Sequence, residues 1–529
     1  MLLASCLHAE LKILSVTERY WDQVEFKRVI EYFTGKEFSG RQLILRSNPE
    51  KRSGMYFELS LSEKPNALPK NSVIVLQMYR SDALHPKLYA GILSERDNKK
   101  HKIDLKIRNY DEIDLVIVNF YPFEETLTLT KKHKKIIENI DIGGPTLVRA
   151  TAKNYKDTTI LISPDQYDEF IANLEKNKGS TSLEFRKKMS QEAFNLTAYY
   201  DSVISEYLNN DNNNYFPKKK TVYGNLVETL RYGENPHQKS AIYSKNKELN
   251  IKKLGGKKLS YNNYNDIYAA LNISHTLPKN TGTVIVKHSN PCGVSINKNK
   301  INSYKEALAC DPISAFGGIV SCNFRVTKKM ARELSKQFLE VVIGMGFDNE
   351  SLKILKKKKN LRLIDASIVK EQNSSNVISN FDSLLFQSAD NKIFTKKDFK
   401  VVSKAKPTKK IFNDLLFAFN VCRNVKSNAI VLTKNGSTIG IGSGQPSRLD
   451  SCKIAIDKMK RFQTLSDNDI ILGASDAFFP FVDGIETLVQ NGVSAVIQPS
   501  GSIRDNEIIK FADKLGVILV FSNTRHFKH

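Results

Sequence analysis

The sequence predicts an α/β protein of at least two domains, and three observations lead to that prediction. Apolar strand-like runs alternate with amphipathic helical stretches along most of the chain. The 529 residues exceed the usual size of a single domain. A polar, asparagine-rich segment punctuated by proline, YLNNDNNNYFPKKK at 207–220, interrupts the pattern. The expected division is therefore a domain over 1–207, a linker over 208–220 and a second domain over 221–529.

The first domain is expected to be parallel and doubly wound. Strand-like runs occur at 72–79 (SVIVLQMY), 111–123 (DEIDLVIVNFYPF) and 158–163 (TTILIS). Between the last two, a Gly-Gly-Pro turn precedes an amphipathic helical stretch within 136–154. Strands that alternate with helices in this way are typical of parallel sheets, because parallel neighbours need a long crossover connection.

The second half contains two successive helix–glycine–strand units, at 483–502 and 505–525. Gly492 and Gly516 fall where the end of a helix favours a residue in the left-handed conformation. Each strand then ends in polar residues, as does the strand at 282–287. Because ligands gather at the carboxyl ends of strands in open α/β sheets, these three strand ends predict one shared site.

Lys287 and His288 stand side by side in GTVIVKHSNPCGVSI (282–296). Neighbours on a strand point to opposite faces, so both residues serve one site only if the strand ends there. Asn290 and Pro291 are expected to supply that ending. Histidine can exchange a proton near neutral pH, and the lysine can hold anionic charge or protonate a leaving nitrogen. The alternative is a capped strand with a solvated lysine and a hydrogen-bonded histidine.

The Pro-Cys step beside His288 also raises the hypothesis of a nucleotide-deaminase zinc site. That chemistry needs a His-x-Glu and a Pro-Cys-x-x-Cys. Gly-Val-Ser follows Cys292, and no His-x-Glu lies near it. The six cysteines are scattered without a Cys-x-x-Cys pair, which argues against a zinc ribbon or a disulfide framework. We therefore expect no metal. We expect a reducing, cytoplasmic location.

The formal net charge of +24 predicts an anionic partner, which is either nucleic acid or a small anionic substrate. The positive charges are mostly dispersed lysines, without an arginine-rich stripe between aromatics, so no nucleic acid is expected. No run approaches the roughly 20 apolar residues of a membrane span. The start, MLLASCLHAELKIL, lacks the basic and apolar regions of a signal peptide.

Four further motifs suggest ligand binding, each with a plainer alternative. LRYGENPHQ (230–238) concentrates polar recognition groups in a loop that suits an anion, or is only a loop. The stretch 427–448 predicts a hairpin around Lys434-Asn435-Gly436, then a glycine-rich loop and a helix that begins at Arg448. ASDAFFPFVDG (474–484) offers aromatics for a flat ring, or core packing. KKKK (356–359) is a solvated face, of which one member can reach a phosphate.

Taken together, these segments resemble the bifunctional purine-biosynthesis family that joins aminoimidazole-carboxamide-ribonucleotide (AICAR) formyltransferase to IMP cyclohydrolase. The resemblance runs from about Arg80 to His529 and rests on LRYGENPHQ, LSYNN, VKHSNPCGV, DPISAFGGIV, VKSNAIV, IGIGSGQPSR, SDAFFPF, QPSGSIRD and RHFKH. It implies a methylglyoxal-synthase-like N-terminal domain and a cytidine-deaminase-like formyltransferase domain without catalytic zinc. It also implies nucleotide and folate substrates, with 10-formyltetrahydrofolate as cosubstrate, and a homodimer.

The resemblance assigns roles to individual residues of the second domain. His288 matches the family's base, Lys287 the lysine that supports transfer, and Asn428 the asparagine that orients the reacting groups. Nucleotide-binding positions are matched by Arg231, Tyr232, Asn262, Lys359, Arg525 and Phe527. Folate-binding positions are matched by Ile313, Phe316, Gly317, Arg448, Phe478, Pro480, Phe481 and Asp483.

The cyclohydrolase positions of the family are matched less completely. The catalytic candidates are Tyr121, Asp141 and Lys153, with Arg80 on the substrate. The family's GRVKTLHP, however, stands here as YRSDALHP, so Asp82 replaces a lysine and Ala83 a threonine. A carboxylate at that position would repel a nucleotide phosphate.

Three other departures from the family pattern occur. The family's anion-binding loop is absent from residues 1–79, which are expected to be atypical. In the second domain, Met345 replaces a proline and Val482 an arginine. The expected function is formyl transfer to AICAR, followed by cyclisation to IMP if the first site is intact. The alternative is a formyltransferase alone, with an inactive N-terminal domain.

Overall fold

The computed structural model describes residues 84–211, 215–246, 248–369 and 376–529, together with three short strands at 11–13, 57–59 and 74–76. The chain divides into two compact units, Met1–Gly224 and Asn225–His529. Residues 208–211 of the expected linker continue a long helix, and residues 212–214 lie outside the described part. Among the described residues, no helix is long and apolar enough to cross a membrane.

The first unit contains a parallel three-stranded sheet in the order β3–β4–β5 and a separate antiparallel pair, β1–β2. The strands are β1 (Leu11–Ile13), β2 (Phe57–Leu59), β3 (Ile74–Leu76), β4 (Leu115–Ile117) and β5 (Thr159–Leu161). The helices are α1 (Pro86–Leu93), α2 (Lys99–Arg108), α3 (Phe123–Leu129), α4 (His133–Glu138), α5 (Gly143–Lys153), α6 (Tyr167–Lys176) and α7 (Leu183–Asp211). A short 3₁₀ turn spans Pro164–Gln166.

The core of this unit lies between the sheet and its helices. All three residues of β4 are buried, as expected for a central strand covered on both faces. Leu147 and Val148 of α5 and Met189 and Ala193 of α7 belong to the same buried cluster. The parallel arrangement predicted for this part of the chain is confirmed in the three described strands.

The second unit is built on a twelve-stranded mixed sheet in the order β16–β21–β20–β19–β17–β18–β10–β9–β11–β12–β13–β8. Its strands are β8 (Lys252–Gly255), β9 (Gly282–Lys287), β10 (Asn290–Ile296), β11 (Ile319–Cys322), β12 (Val341–Gly344), β13 (Arg362–Asp365), β16 (Phe399–Val401), β17 (Ile430–Lys434), β18 (Ser437–Gly442), β19 (Ile471–Ser475), β20 (Val493–Pro499) and β21 (Ile518–Ser522). Two separate antiparallel pairs join β6 (Asn225–Leu230) to β7 (Ser240–Ser244) and β14 (Asn376–Asn380) to β15 (Ser383–Gln387).

Helices cover both faces of this sheet. One face packs against α8 (Tyr261–Thr276) and α12 (Lys409–Cys422). The other packs against α9 (Lys300–Cys310), α10 (Lys328–Leu334), α11 (Asn349–Leu355), α13 (Arg448–Phe462), α14 (Val482–Gln490) and α15 (Asp505–Leu515). Successive residues alternate between the faces, so Val284 and Val286 join one core while Ile285 joins the other.

Several local predictions for this unit are confirmed. Gly492 and Gly516 have positive φ directly after α14 and α15. Asn435 and Gly436 form the turn between β17 and β18, and α13 begins at Arg448. The strands that follow the two helix–glycine units, β20 and β21, pair in parallel.

The pairing pattern also determines which strand ends lie at the same edge of the sheet. Counting parallel and antiparallel steps across the sheet, β9, β18, β19, β20 and β21 all point the same way. Their carboxyl ends therefore lie at one edge of the sheet, as the sequence predicts. The residues that precede β10, β11 and β17 reach the same edge, because those strands run in the opposite direction.

The seat of α13 on β18 depends on one glycine. A Cβ on Gly442 would stand 1.9 Å from the carbonyl oxygen of Ser451, inside any allowed contact distance. The helix backbone can therefore approach the strand only because that side chain is missing.

Candidate active site

The turn between β9 and β10 carries the two central candidates, Lys287 and His288. Lys287 pairs with Asn290, so His288 and Ser289 alone form a two-residue hairpin loop. Their φ angles are 52° and 60°, the left-handed values that a type I′ turn requires. The expectation that Asn290 and Pro291 end the strand was wrong, since both already belong to β10. The chain turns two residues earlier, directly after Lys287, which leaves His288 exposed at the tip of the hairpin.

A carboxylate on α8 holds this turn. The backbone N–H of Ser289 donates to Asp266 Oδ1 over 2.6 Å, and the Ser289 hydroxyl lies 3.4 Å from the same oxygen. Burial raises the pKa of Asp266, and these hydrogen bonds and the charge of His288 oppose that shift. Left-handed non-glycine residues cost about 1–3 kcal/mol each and persist where surrounding contacts over-determine them.

Lys287 connects the turn to the loop before β11. Its Nζ donates to the carbonyl oxygen of Phe316 over 2.8 Å. The Phe316 ring is exposed and lies 5.1 Å from that of Phe338. Gly317 has a φ of 71°, and its N–H donates to the Phe338 carbonyl. Ile313 is exposed in the same loop. Three predicted folate-binding positions thus gather beside Lys287.

The Asn428 carboxamide is held by hydrogen bonds at both ends. Its Nδ2 donates to the carbonyls of Gln445 and Pro446, each over 2.9 Å, and its Oδ1 accepts from Arg448 Nη2 over 2.7 Å. The Ser427–Asn428 peptide bond is cis. The amide therefore has a fixed orientation in the cleft, as an orienting group needs.

Arg448 is buried, and it is fixed by Asp476, which is fully buried. Arg448 Nη1 donates to Asp476 Oδ1 and to the Ser475 hydroxyl. The Ser427 hydroxyl donates to the other oxygen of Asp476, and the Asp476 carbonyl accepts from the N–H of His526. The Asp476 carboxylate therefore joins the residues before β17 to the start of α13, and its backbone carbonyl adds the segment after β21. A buried ion pair of this kind needs all of these partners.

A cleft of about 420 Å³ opens beside this network. Eight predicted site residues line it: Asn428, Arg448, Phe478, Pro480, Phe481, Asp483, Arg525 and Phe527. Two exposed rings at the cleft carry stacked arginines, Arg504 on Phe481 at 4.8 Å and Arg525 on Phe527 at 4.6 Å. The combination of aromatic walls with a carboxylate and guanidinium groups fits a flat ring system with a polar edge.

The remaining nucleotide candidates lie on exposed loops of the same unit. Arg231 stacks on Tyr232 at 5.5 Å in the loop between β6 and β7. Asn262, in the first turn of α8, donates to the Glu234 carbonyl of that loop. Lys359 is exposed just before β13. Cations and amides that remain at the surface are available to an anionic ligand.

The folate candidates form two clusters at different strand ends. Phe316 contacts Lys287 at the end of β9, whereas the cleft lies at the end of β19. These strands are four positions apart in the sheet, about 19 Å at the usual spacing.

In the first unit, Asp141 organises the loop before α5. Its carboxylate accepts from the N–H of Tyr121 over 3.3 Å and from the N–H of Gly144 over 2.8 Å. The N–H of Asp141 donates to the Tyr200 hydroxyl over 2.8 Å. Burial raises the pKa of that hydroxyl. The structure thus brings Tyr121 and Asp141 together.

Lys153 lies elsewhere in this unit, exposed in the last turn of α5. It is the last of the eleven residues of α5, about 15 Å along the axis from the end of the helix that adjoins the Asp141 loop. Arg80, Asp82 and Ala83 lie outside the described residues, as does nearly all of the atypical segment 1–79.

Cys292 packs inside the sheet and has no place in the site. It is buried in β10, and burial raises the pKa of its thiol to about 12. The two departures in the second domain are also packing residues. Met345 lies against the core beneath α8, and Val482 opens α14 against the opposite core.

Sequence reasoning missed Asp266 and Asp476. Asp266 stands four residues after Asn262 on α8, so it lies one turn further along the same helix face. Asp476 is part of the SDAFFPF motif, but its partners lie 28 and 49 residues away. The spacing on α8 was a usable signal, whereas the second network depends on the order of the strands.

Comparison with known proteins places these observations in a family. A family model described as "AICARFT/IMPCHase bienzyme" matches residues 151–458. The chain is 44% identical over 460 residues to the "Bifunctional purine biosynthesis protein PurH" of Persephonella marina, covering 85% of this chain and 88% of the relative. It is 45% identical over 457 residues to the protein of the same name from Thermoanaerobacter sp., with the same coverage of each chain.

One solved structure, titled "Crystal structure of ForH", is 27% identical over 24% of this chain and 66% of its own, with a TM-score of 0.21. That score is too low for a comparison of folds. The family model, in contrast, covers Lys287, His288 and Asn428. The chain belongs to the AICARFT/IMPCHase bienzyme family.

Proposed function

We propose that this protein transfers a formyl group from 10-formyltetrahydrofolate to AICAR and then closes the product to IMP, as a bifunctional enzyme of purine biosynthesis. One observation carries the first activity. Asn428, with its amide fixed in orientation, lines an aromatic cleft at the sheet edge where His288 and Lys287 also stand. Relatives at 40–45% identity are named as bifunctional, which does not favour a formyltransferase alone.

The side chains account for the chemistry of transfer. 10-Formyltetrahydrofolate supplies the formyl carbon, and its flat ring matches the walls of Phe478 and Phe481 beside Asp483. The aromatic amine of AICAR is a weak nucleophile, so His288 takes its proton during attack. Lys287 stands next to that imidazole and stabilises the transferred charge or protonates the departing nitrogen.

The charged candidates account for binding of the nucleotide. Arg231, Lys359 and Arg525 supply positive charge to a phosphate, because none of them is buried. Tyr232 and Asn262 flank the same loop. The net charge of +24 favours such an anionic small molecule, and nucleic acid is not part of the proposal.

For the cyclohydrolase, we propose that Asp141 and Tyr121 act together, with Lys153 and Arg80 in supporting roles. Ring closure needs polarisation of the formyl group and movement of protons. The hydrogen bonds from Tyr121 and Gly144 keep the Asp141 carboxylate in place. We further propose a methylglyoxal-synthase-like fold for the first domain, a cytidine-deaminase-like fold for the second, and a cytoplasmic location.

The first test is a product assay with AICAR and 10-formyltetrahydrofolate, resolved by chromatography. IMP as the product is the expected result. If formyl-AICAR accumulates instead, the first domain is inactive and the alternative of a formyltransferase alone is correct. If neither product forms, the proposed function fails.

The formyltransferase site is proposed to be completed across a homodimer. The separation of the β9 and β19 strand ends by four sheet positions, about 19 Å at the usual spacing, supports it, because two chains can bring one cluster from each to the same ligand. Residues with exposed apolar side chains in both clusters, such as Phe316 and Phe481, would then be covered.

Hybrid dimers test this arrangement. Co-expression of a His288→Gln chain with an Asn428→Ala chain, purified through two tags, leaves one of two shared sites intact. About half of the parental activity is expected. A hybrid of His288→Gln with Lys287→Gln is the control and remains inactive, since both sites are damaged. An inactive first hybrid would show that each chain builds its own site.

A further inference from the structure

The β9–β10 turn has an unusual composition for its conformation. Two-residue type I′ turns are formed mostly by Asn-Gly and related pairs, because both residues need positive φ. Here the pair is His288-Ser289, which contains no glycine and is not one of the pairs that favour this turn. Something outside the turn must therefore select it.

Asp266 is the group that meets this need. Its carboxylate accepts the backbone N–H of Ser289 at 2.6 Å, and the Ser289 hydroxyl lies 3.4 Å from the same oxygen. On the other side, Asn290 Nδ2 lies 3.5 Å from the His288 carbonyl, a far weaker contact. Asp266 sits in the second turn of α8, a 16-residue helix with a capping box at Ser260 and Asn263. It is therefore anchored to a rigid element.

We infer that Asp266 is a positioning residue for formyl transfer, which holds His288 in place by clamping the backbone of its turn. The inference rests on the proposed role of His288 as the base. Asp266 touches neither reacting group, and it acts through the peptide N–H of Ser289, which directly follows the His288 carbonyl. Displacement of that backbone by even about 1 Å moves the imidazole away from the substrate amine, which is enough to slow a reaction about 100-fold.

The experiment is a double-mutant cycle on the full chain, with kcat measured for formyl transfer at saturating AICAR and 10-formyltetrahydrofolate. Asp266→Ala is expected to lower kcat about 50-fold and to change the KM for AICAR by less than about threefold. In a His288→Gln background the same change is expected to lower kcat by less than about threefold, because the group being positioned is already gone. Equal losses in both backgrounds would overturn the inference.

Two further variants keep the test decisive if Asp266→Ala does not fold. Asp266→Glu keeps the charge but displaces it by one methylene, and a loss of about tenfold that disappears in the His288→Gln background is expected. Asp266→Asn keeps an acceptor oxygen and is expected to stay within about fivefold of the parent. An Asp266→Glu variant with parental kcat would contradict the clamp.

A matched control comes from α11. Asp348 also accepts a backbone N–H at 2.6 Å, from Ser351, and a second one from Lys328, but it lies away from the site. Asp348→Ala is expected to lower stability and leave kcat unchanged. If His288→Gln itself leaves kcat unchanged, the proposed base is wrong; if the parent forms no product, the proposed function is wrong. Both outcomes are distinct from equal losses across the cycle.

Discussion

Two hairpins of the twelve-stranded sheet have the same turn and different reasons for it. Asn435-Gly436 joins β17 to β18, and His288-Ser289 joins β9 to β10; all four residues have positive φ. The first pair adopts this conformation by local preference. The second pair is not one that favours this turn, and Asp266 accepts the N–H of its Ser289. A turn whose residues do not favour its conformation therefore indicates a functional site.

The largest effect on stability is expected when the local preference of the Asn435-Gly436 turn is removed. Gly436→Ala places a Cβ at φ 75°, 2.8 Å from Cγ1 of Ile296. The expected result is a loss of about 2 kcal/mol in the free energy of unfolding, from left-handed strain and crowding. Urea unfolding measures this loss, and the dependence of the unfolding free energy on urea concentration should stay the same. Formyl transfer per folded molecule should be unchanged, and a selective loss of activity would contradict a purely structural turn.

A substitution in the His288-Ser289 turn is expected to have the opposite effect on stability. Ser289→Gly relieves the strain at φ 60° and keeps the N–H that donates to Asp266. We expect the free energy of unfolding to rise by about 0.5–1 kcal/mol, because glycine adopts this conformation without steric cost. Asn435→Gly is the control and should change little, since asparagine tolerates it. A destabilised Ser289→Gly variant would mean that Asp266 has already removed the strain.

The smallest expected effect is on the pH dependence of stability, through Asp266 at the His288-Ser289 turn. The pKa of Asp266 is raised by burial, so on acidification the folded protein binds this proton before the unfolded chain does. At pH 7 the ionised carboxylate therefore lowers stability, and that loss fades as pH falls through the raised pKa toward the ordinary value of about 3.9. Asp266→Asn removes this dependence, so at pH 7 the variant should have a higher unfolding midpoint than the parent. The difference between the two midpoints should shrink as the pH is lowered from 7 to 4.

Asp348→Asn provides the control with the opposite sign. The pKa of Asp348 is lowered, first by the N–H of Ser351, so its contribution to stability is present above the ordinary value and lost below it. The parent should therefore lose stability relative to this variant only below about pH 4. Matching trends for the two variants would contradict the assignment of opposite shifts.

The same contrast explains what the sequence could predict. The Asn435-Gly436 turn, the caps at Gly492 and Gly516 and the start of α13 follow from neighbouring residues, and all are confirmed. The end of β9 was placed at Asn290-Pro291, two residues too late, because its cause is a carboxylate 23 residues upstream.

The candidate site shows the same limit. Family motifs named the residues of the cleft, and the structure gathers eight of them around it. They did not reveal that Arg448 is tied to Asp476 and Asn428, or that Lys153 stands at the far end of α5 from Asp141. Those relations depend on strand order and helix length rather than on any short segment.

Gly442 carries a consequence for genetics. It touches no ligand, yet it lets α13 lie close enough for Ser451 to reach the Asn428 carbonyl at 2.8 Å, one turn after Arg448. Any larger residue there would push the helix outward and take Arg448 away from Asn428. A screen for loss of formyl transfer should therefore recover substitutions at this buried strand position, among alleles that look unrelated to catalysis.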